Sequence, residues 1–149
     1  MADTCPGGFA LLGSASEREE VTQLADRLRS SVSVPVVVMA GETSVGDLMA
    51  IIERARLTVS NDSAALHLAT GLGGRCVGLF GPTRVEEVGP YGLADQTVSA
   101  PAGADVNYRD ARLGDRLMRQ VSVEAVVRCC RMVLDRTSAP HSVDARVGS

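Results

Sequence analysis

Short continuous runs of apolar residues alternate with amphipathic helical patterns along most of this chain, and that rhythm narrows the choice of fold more than any other feature. The runs are Phe9-Ala10-Leu11-Leu12, Val34 to Met39, Leu57-Thr58-Val59 and Cys76-Val77-Gly78-Leu79-Phe80, spaced by about 20 to 25 residues. Between them lie helical patterns. From Glu17 to Ser30, Val21, Leu24, Ala25 and Leu28 share one face, and Ser16 with Glu19 suits a capping box. From Val45 to Ala55, Val45, Leu48, Met49 and Ile52 do the same, with Ser44 and Asp47 at the start. A third pattern runs from Asn61-Asp62-Ser63 to Leu72 and stops at Gly73-Gly74. Strand and helix in alternation predict an α/β fold, a Rossmann-like parallel sheet with helices on both faces. Runs that are continuous rather than alternating predict strands buried on both sides.

Beyond Val88 the rhythm loosens. Gly89-Pro90-Tyr91-Gly92 is turn chemistry, and Thr97-Val98 suits a brief edge strand. Residues 100 to 120 show no clear period. A last helix is expected from Val123 to Leu134, capped by Ser122, with Val123, Val126, Val127 and Cys130 on one face. The predicted organisation is a polar lead-in over residues 1–8, one folded domain over 9–136 and a disordered tail over 137–149.

With 149 residues and 45% hydrophobic content the chain can bury a sizeable core, and with aromatics at only 3% that core is aliphatic. A net charge of −3 without a basic stripe argues against nucleic acid as a partner. All fifteen basic residues are arginine, so any side-chain cation facing a phosphate is a planar bidentate donor. Cys5, Cys76, Cys129 and Cys130 form no Cys-x-x-Cys pair and have no histidine at ligand spacing. They are expected as reduced thiols of a cytoplasmic protein, with no metal. No leader and no membrane-spanning apolar segment is visible.

In an open parallel sheet, ligands bind outside the carboxyl ends of the strands, where every strand-to-helix turn lies. Four such turns are expected: Gly13-Ser14-Ala15-Ser16, Gly41-Glu42-Thr43-Ser44, Asn61-Asp62-Ser63 and Gly81-Pro82-Thr83. Three contain glycine and all contain a hydroxyl, so Ser14, Gly81 and Thr83 join Ser63 as donors for one anionic ligand. The third turn is the richest. It aims the first free N–H groups of a helix at the edge, with Asp62 and His67 beside them. The competing reading is that Asn61, Asp62 or Ser63 merely caps the helix and that glycine and serine merely serve the turns. A Gly-x-Gly-x-x-Gly after the first strand and a Walker lysine are both absent. Ser63 and His67 are spaced as a nucleophile and base, yet Ser63 lacks a Gly-x-Ser-x-Gly setting.

Ser60-Asn61-Asp62-Ser63-Ala64-Ala65-Leu66-His67-Leu68-Ala69, Gly78-Leu79-Phe80-Gly81-Pro82-Thr83 and Gly89-Pro90-Tyr91-Gly92 together resemble glycosyltransferase family 9, the ADP-heptose:lipopolysaccharide heptosyltransferases. Leu12-Gly13-Ser14-Ala15 and Ala40-Gly41-Glu42-Thr43 resemble the heptosyltransferase II branch most, and the likeness covers about residues 9 to 135. It implies the C-terminal, donor-binding half of a two-domain GT-B fold. Asp62 would contact the donor sugar, Ser63 and the Ala64 N–H the diphosphate, with His67 nearby. Glu17 would reach the ribose and Thr43 would lie by the adenine. The implied substrates are a nucleotide-activated heptose and a lipopolysaccharide core acceptor, the latter bound by a missing N-terminal domain that also supplies the general base. The implied location is the cytoplasm, or the cytoplasmic face of the inner membrane. No cofactor is implied, and no catalytic group in this half except His67 as a candidate.

Three departures from the family pattern stand out. Ala64 replaces the usual glycine, the cysteines many relatives carry between positions 100 and 120 are absent, and the family's first strand and helix have no counterpart before Phe9. That strand is expected to be central, so the isolated chain is expected to transfer no sugar and to be poorly stable or self-associating. The rival readings are a non-catalytic nucleotide-sugar-binding fragment or relic, and another GT-B enzyme such as a nucleotide-sugar epimerase.

Overall fold

The computed structural model describes residues 7–81, 94–100 and 111–136. In chain order these form β1 (Phe9–Leu11), α1 (Arg18–Arg29) after a 3₁₀ turn over Ala15–Glu17, β2 (Val36–Val38), α2 (Val45–Arg54), β3 (Thr58–Asn61) and α3 (Ala64–Gly71). Then come β4 (Cys76–Phe80), a 3₁₀ turn over Ala94–Gln96, β5 (Thr97–Ser99), α4 (Ala111–Met118) and α5 (Val123–Asp135). The chain divides into two compact units, Met1–Leu48 and Met49–Ser149. The parallel α/β class holds, but the described strands pair as two sheets. β1 and β2 form a two-stranded parallel sheet, and β3-β4-β5 a three-stranded parallel one.

In the first unit, α1 packs on β2. Arginines at the two ends of α1 fasten it there: Arg29 donates to the Val36 carbonyl at 2.9 Å and Arg18 to the Ala40 carbonyl at 2.8 Å. Ala25 is fully buried on the inner face of α1, whereas Leu24, expected on that face, is half exposed. The capping box also sits two residues earlier than expected. Ser14 and Glu17, not Ser16 and Glu19, form it, because the chain enters the helix through a 3₁₀ turn that starts at Ala15.

The expectation of fully buried strands is corrected here. Phe9 is 37% exposed and Val37 51% exposed, and in the second unit Val59 on β3 is 47% exposed. A strand with a neighbour on one side and a helix on one face keeps water on the rest. Among the described strands only β4 meets the prediction. It is flanked by β3 and β5, and its two faces are covered by different helices. Val77 packs with Cys129, Cys130 and Val133 of α5, joined by Leu57, Leu79, Val98 and Val126. On the other face Cys76 meets Thr70 of α3 at 3.6 Å, and Gly78 lies under the side chain of Leu66. Helices on both faces are therefore realised around this strand.

Two elements differ further from expectation. α4 falls in the region that showed no period, because its eight residues carry few apolar side chains (Ala111, Leu113, Leu117 and Met118) around the helix-weakening Gly114. The Thr97-Val98 strand is present as β5, one residue longer. The last helix keeps its predicted cap, with the Ala125 N–H donating to Ser122 Oγ at 3.2 Å, but Val123 is exposed. Of the lead-in over residues 1–8, all but Gly7 and Gly8 lie outside the described residues, as do the turn over 89–92 and the tail over 137–149.

Candidate functional site

In the second unit, β3 ends at Asn61 and α3 begins at Ala64, so Asp62 and Ser63 make the whole turn. Ser63 has the extended backbone of an N-cap, with φ −153° and ψ 169°. Its side chain nonetheless accepts no bond from its helix. The Ser63 carbonyl takes the Leu66 N–H at 3.1 Å and the His67 N–H at 3.3 Å. Ahead of these, the N–H groups of Ala64 and Ala65 meet no protein acceptor among the described residues. They lie at the positive end of the α3 dipole. The simplest rival reading, a turn residue that caps the helix through its side chain, is not what the turn does.

Instead, Ser63 Oγ lies 2.8 Å from Ser60 Oγ, three residues back on β3. Sequence reasoning quoted Ser60 within the motif without giving it a task. The only signal available was a second serine three positions before the cap. Asp62 is three-quarters buried on its side chain, and its Oδ1 lies 3.5 Å from His67 Nε2 on the first turn of α3. That is within ion-pair range and long for a hydrogen bond. His67 itself is 55% exposed. Ala64 is exposed as the first residue of the helix. The turn thus presents two free amides, two hydroxyls, a carboxylate and an imidazole. That inventory suits a phosphate with a hydroxyl-bearing group attached: amides and hydroxyls for the anion, the carboxylate as acceptor for the hydroxyls.

The helix is held in place by small-residue packing. A Cβ added to Gly78 would lie 2.7 Å from Phe80 Cε2 and 2.9 Å from Leu66 Cδ2, so only glycine lets Leu66 seat fully on β4. Gly81, expected as a ligand-facing turn residue, has a packing explanation: a Cβ there would lie 2.7 Å from Met118 of α4. Thr83, the other donor expected in that turn, lies outside the described residues.

In the first unit the two strand-to-helix turns touch. Gly41 has φ +73°, and a Cβ there would lie 2.7 Å from the Ala15 Cα, so the turn after β2 approaches the turn after β1 at backbone distance. Arg18 reinforces this with an ion pair to Glu42 at 2.6 Å. Glu17, expected at a ribose, directs Oε2 to the Ser14 N–H at 2.7 Å and the Ser14 hydroxyl at 2.6 Å. Those bonds hold its carboxyl below the usual carboxylate range, so it stays ionised. Ser14 is correspondingly engaged. In the turn after β2, Ser44 and Asp47 close a capping box, with the Ser44 hydroxyl donating at 2.6 Å and the Asp47 N–H returning at 3.2 Å. Thr43, half-buried, precedes it.

No group of three or more histidines, cysteines or carboxylates stands together among the described residues. Cys76, Cys129 and Cys130 are free thiols, and burial pushes each of them up from the ordinary thiol range, away from the reactive thiolate. Among the described residues no helix is long and apolar enough to cross a membrane.

Residues 8–113 match the family described as glycosyltransferase family 9 (heptosyltransferase). The chain is 28% identical over 105 residues to lipopolysaccharide heptosyltransferase 2 of Salmonella typhimurium, which covers 70% of this chain and 29% of that protein. It is 36% identical over 80 residues to lipopolysaccharide heptosyltransferase 1 of Pseudomonas aeruginosa, covering 54% and 21% respectively. Among solved structures, the glycosyl transferase family 9 protein of Veillonella parvula superposes with a TM-score of 0.69 at 21% identity, over 84% of this chain and 36% of that one. The structural likeness concerns the fold. The chain spans under a third of the length of the curated relatives it matches.

Proposed function

Because this chain belongs to glycosyltransferase family 9, we propose that its β3–α3 turn binds the diphosphate and sugar of a nucleotide-activated donor. The observation that carries the reading is the uncapped start of α3. Its Ala64 and Ala65 N–H groups have no protein acceptor among the described residues, and a carboxylate and an imidazole stand alongside. In this reading Ser63 Oγ and the Ala64 N–H bond the diphosphate, and Asp62 accepts hydroxyls of the sugar. In the same reading His67, beside Asp62, lies near the diphosphate. As the sugar departs, negative charge grows on the diphosphate, and a fixed helix N-terminus offsets it without reorganising.

The reaction proposed is transfer of a heptose to lipopolysaccharide, as the names of the relatives suggest; its finer form, an inverting transfer from an ADP-linked donor to a hydroxyl of the core, rests on the family resemblance. The acceptor site and its general base are assigned to sequence that these relatives have and this chain does not span. The chain is proposed as a donor-binding part, acting in the cytoplasm or at the inner face of the membrane. No metal or other cofactor enters the proposal. The roles of Glu17 at a ribose and Thr43 at an adenine are a separate proposal for the first unit, supported by family likeness. A donor-binding part without catalysis shares the same chemistry and differs only in whether an acceptor-binding partner segment exists.

Calorimetric titration with ADP, UDP and ADP-heptose tests the reading. Binding selective for ADP, and lost in Asp62→Ala when the sugar is present, is the expected result. A preference for UDP would move the proposal to another nucleotide-sugar enzyme, and absence of all three bindings would overturn it.

A further inference from the structure

In the reading above Ser63 Oγ bonds the diphosphate, but its bond to the Ser60 hydroxyl has no part, and that bond addresses a conflict built into the reading. A serine at an N-cap position ordinarily turns its oxygen back to accept an N–H from its own helix. An anion at a helix start needs those same N–H groups. A capping Ser63 would therefore compete with the diphosphate for the donors that bind it. In this chain Ser63 has the N-cap backbone, yet its oxygen is withdrawn from α3 and lies 2.8 Å from Ser60 Oγ.

We propose that Ser60 is a positioning residue for diphosphate binding: its hydroxyl, one residue before the end of β3, holds Ser63 Oγ away from the amides of α3 and leaves them to the ligand. The proposal rests on the donor-binding reading of this turn. Ser60 suits the task because it sits on the strand rather than in the turn. β3 is fixed to β4 through the Thr58-Cys76 to Asn61-Leu79 register, so the Ser60 oxygen is presented from a rigid element. With Ser60 donating, Ser63 Oγ accepts one bond from the strand side and keeps its own proton free, so the two hydroxyls form a relay ending on a phosphate oxygen, and each bond polarises the next. Ser60 touches neither the sugar nor the phosphate in this arrangement. It acts through Ser63.

The consequence separates positioning from general support. In Ser60→Ala the Ser63 side chain is released and can rotate to cap α3, so the helix gains a bond while the ligand loses donors. Affinity for ADP should fall about five- to ten-fold, the scale of one hydrogen bond, while the melting temperature of the full chain should not fall. Adenosine, which lacks the diphosphate, serves as the control ligand and should bind both proteins equally. Ser60→Thr keeps a hydroxyl at the same place and should restore ADP affinity. In a Ser63→Ala background, Ser60→Ala should cost nothing further, because the residue it positions is gone.

Calorimetry with ADP and adenosine, paired with thermal melts by circular dichroism, reads all of these. The proposal is overturned if Ser60→Ala binds ADP as the wild type does. It is equally overturned if its ADP loss persists in the Ser63→Ala background, or if ADP affinity and melting temperature fall together. Failure of the wild-type chain to bind ADP would instead overturn the donor-binding reading and this inference with it. Wild-type binding that is indifferent to Ser60 would overturn the inference alone.

Discussion

Replacing Gly78 by alanine tests whether the packing of α3 on β4 holds the proposed binding turn in place. Gly78 is the middle residue of β4, and both of its backbone neighbours in the sheet, Ser60 and Thr97, are paired. The new methyl carbon would start 2.7 Å from Phe80 Cε2 and 2.9 Å from Leu66 Cδ2, with Leu66 Cδ1 at 3.5 Å. Ordinary carbon contacts begin about 3.5 Å apart, so two contacts are short by more than half an ångström. Phe80 and Leu66 are both fully buried, so neither can swing out into solvent. The cost of such overpacking is about 1–3 kcal/mol. Strand propensity works in the opposite direction, since alanine is the better residue in a strand by a fraction of that, and it does not change the sign. Urea denaturation followed by circular dichroism should show the midpoint falling with little change of slope. Leu66→Ala alone should cost about 2–5 kcal/mol through the cavity it leaves. In the double variant the methyl group introduced by Gly78→Ala partly fills that cavity, so the combined loss should be smaller than the sum. Because Leu66 lies on the first turn of α3, Gly78→Ala should also weaken ADP binding. A Gly78→Ala protein within about 0.5 kcal/mol of the wild type, or strictly additive double-variant energies, would refute the packing argument.

Gly41→Ala should destabilise the first unit by at least about 1 kcal/mol, since φ +73° disfavours a side chain and the methyl would meet the Ala15 backbone; thermal melts check it, and an unchanged melting temperature would contradict it. Serine donors hold the pKa values of Glu17 and Asp47 below their ordinary values of 4.5 and 3.8. Groups with depressed folded values stabilise above their unfolded values and lose that contribution as pH falls through the folded ones. Ser14→Ala combined with Ser44→Ala should therefore separate from the wild type at neutral pH, with the two stability curves converging as pH drops below 4.5 and then 3.8. Curves that diverge on acidification would show the sign to be wrong. In a Cys5→Ser background, Cys76, Cys129 and Cys130 should react with a maleimide only slowly until urea unfolds the chain, because burial raises all three thiols; rapid labelling of the native protein, read by mass spectrometry, would count against this.

Much of the proposed binding turn could be seen in the residues themselves. A strand stopping in Asn61-Asp62-Ser63 and a helix restarting with Ala64 and Leu66 already implied free amides beside Asp62 and His67. The withdrawal of Ser63 Oγ from its helix could not be seen, because the same residues cap helices elsewhere and only the position of Ser60 decides between the two states. Gly81 shows the opposite failure. A glycine between a strand and a proline invites a ligand-facing role, and the reason for it is Met118, 37 positions later in the chain.

Local pattern was enough to set the α/β class, the order of the elements and most helix starts, since periodicity, caps and breakers act within a few residues. Ser44 with Asp47 and Ser122 with Ala125 are bonds between near neighbours, and both are present where the pattern placed them. Which runs are buried was settled only by packing in three dimensions. Phe9-Ala10-Leu11, Val36-Val37-Val38 and Cys76 to Phe80 read alike, yet among the described residues only the last has strands on both sides and a helix on each face. Burial depends on what covers a strand, and that cover comes from residues far along the chain, whose placement no local pattern encodes.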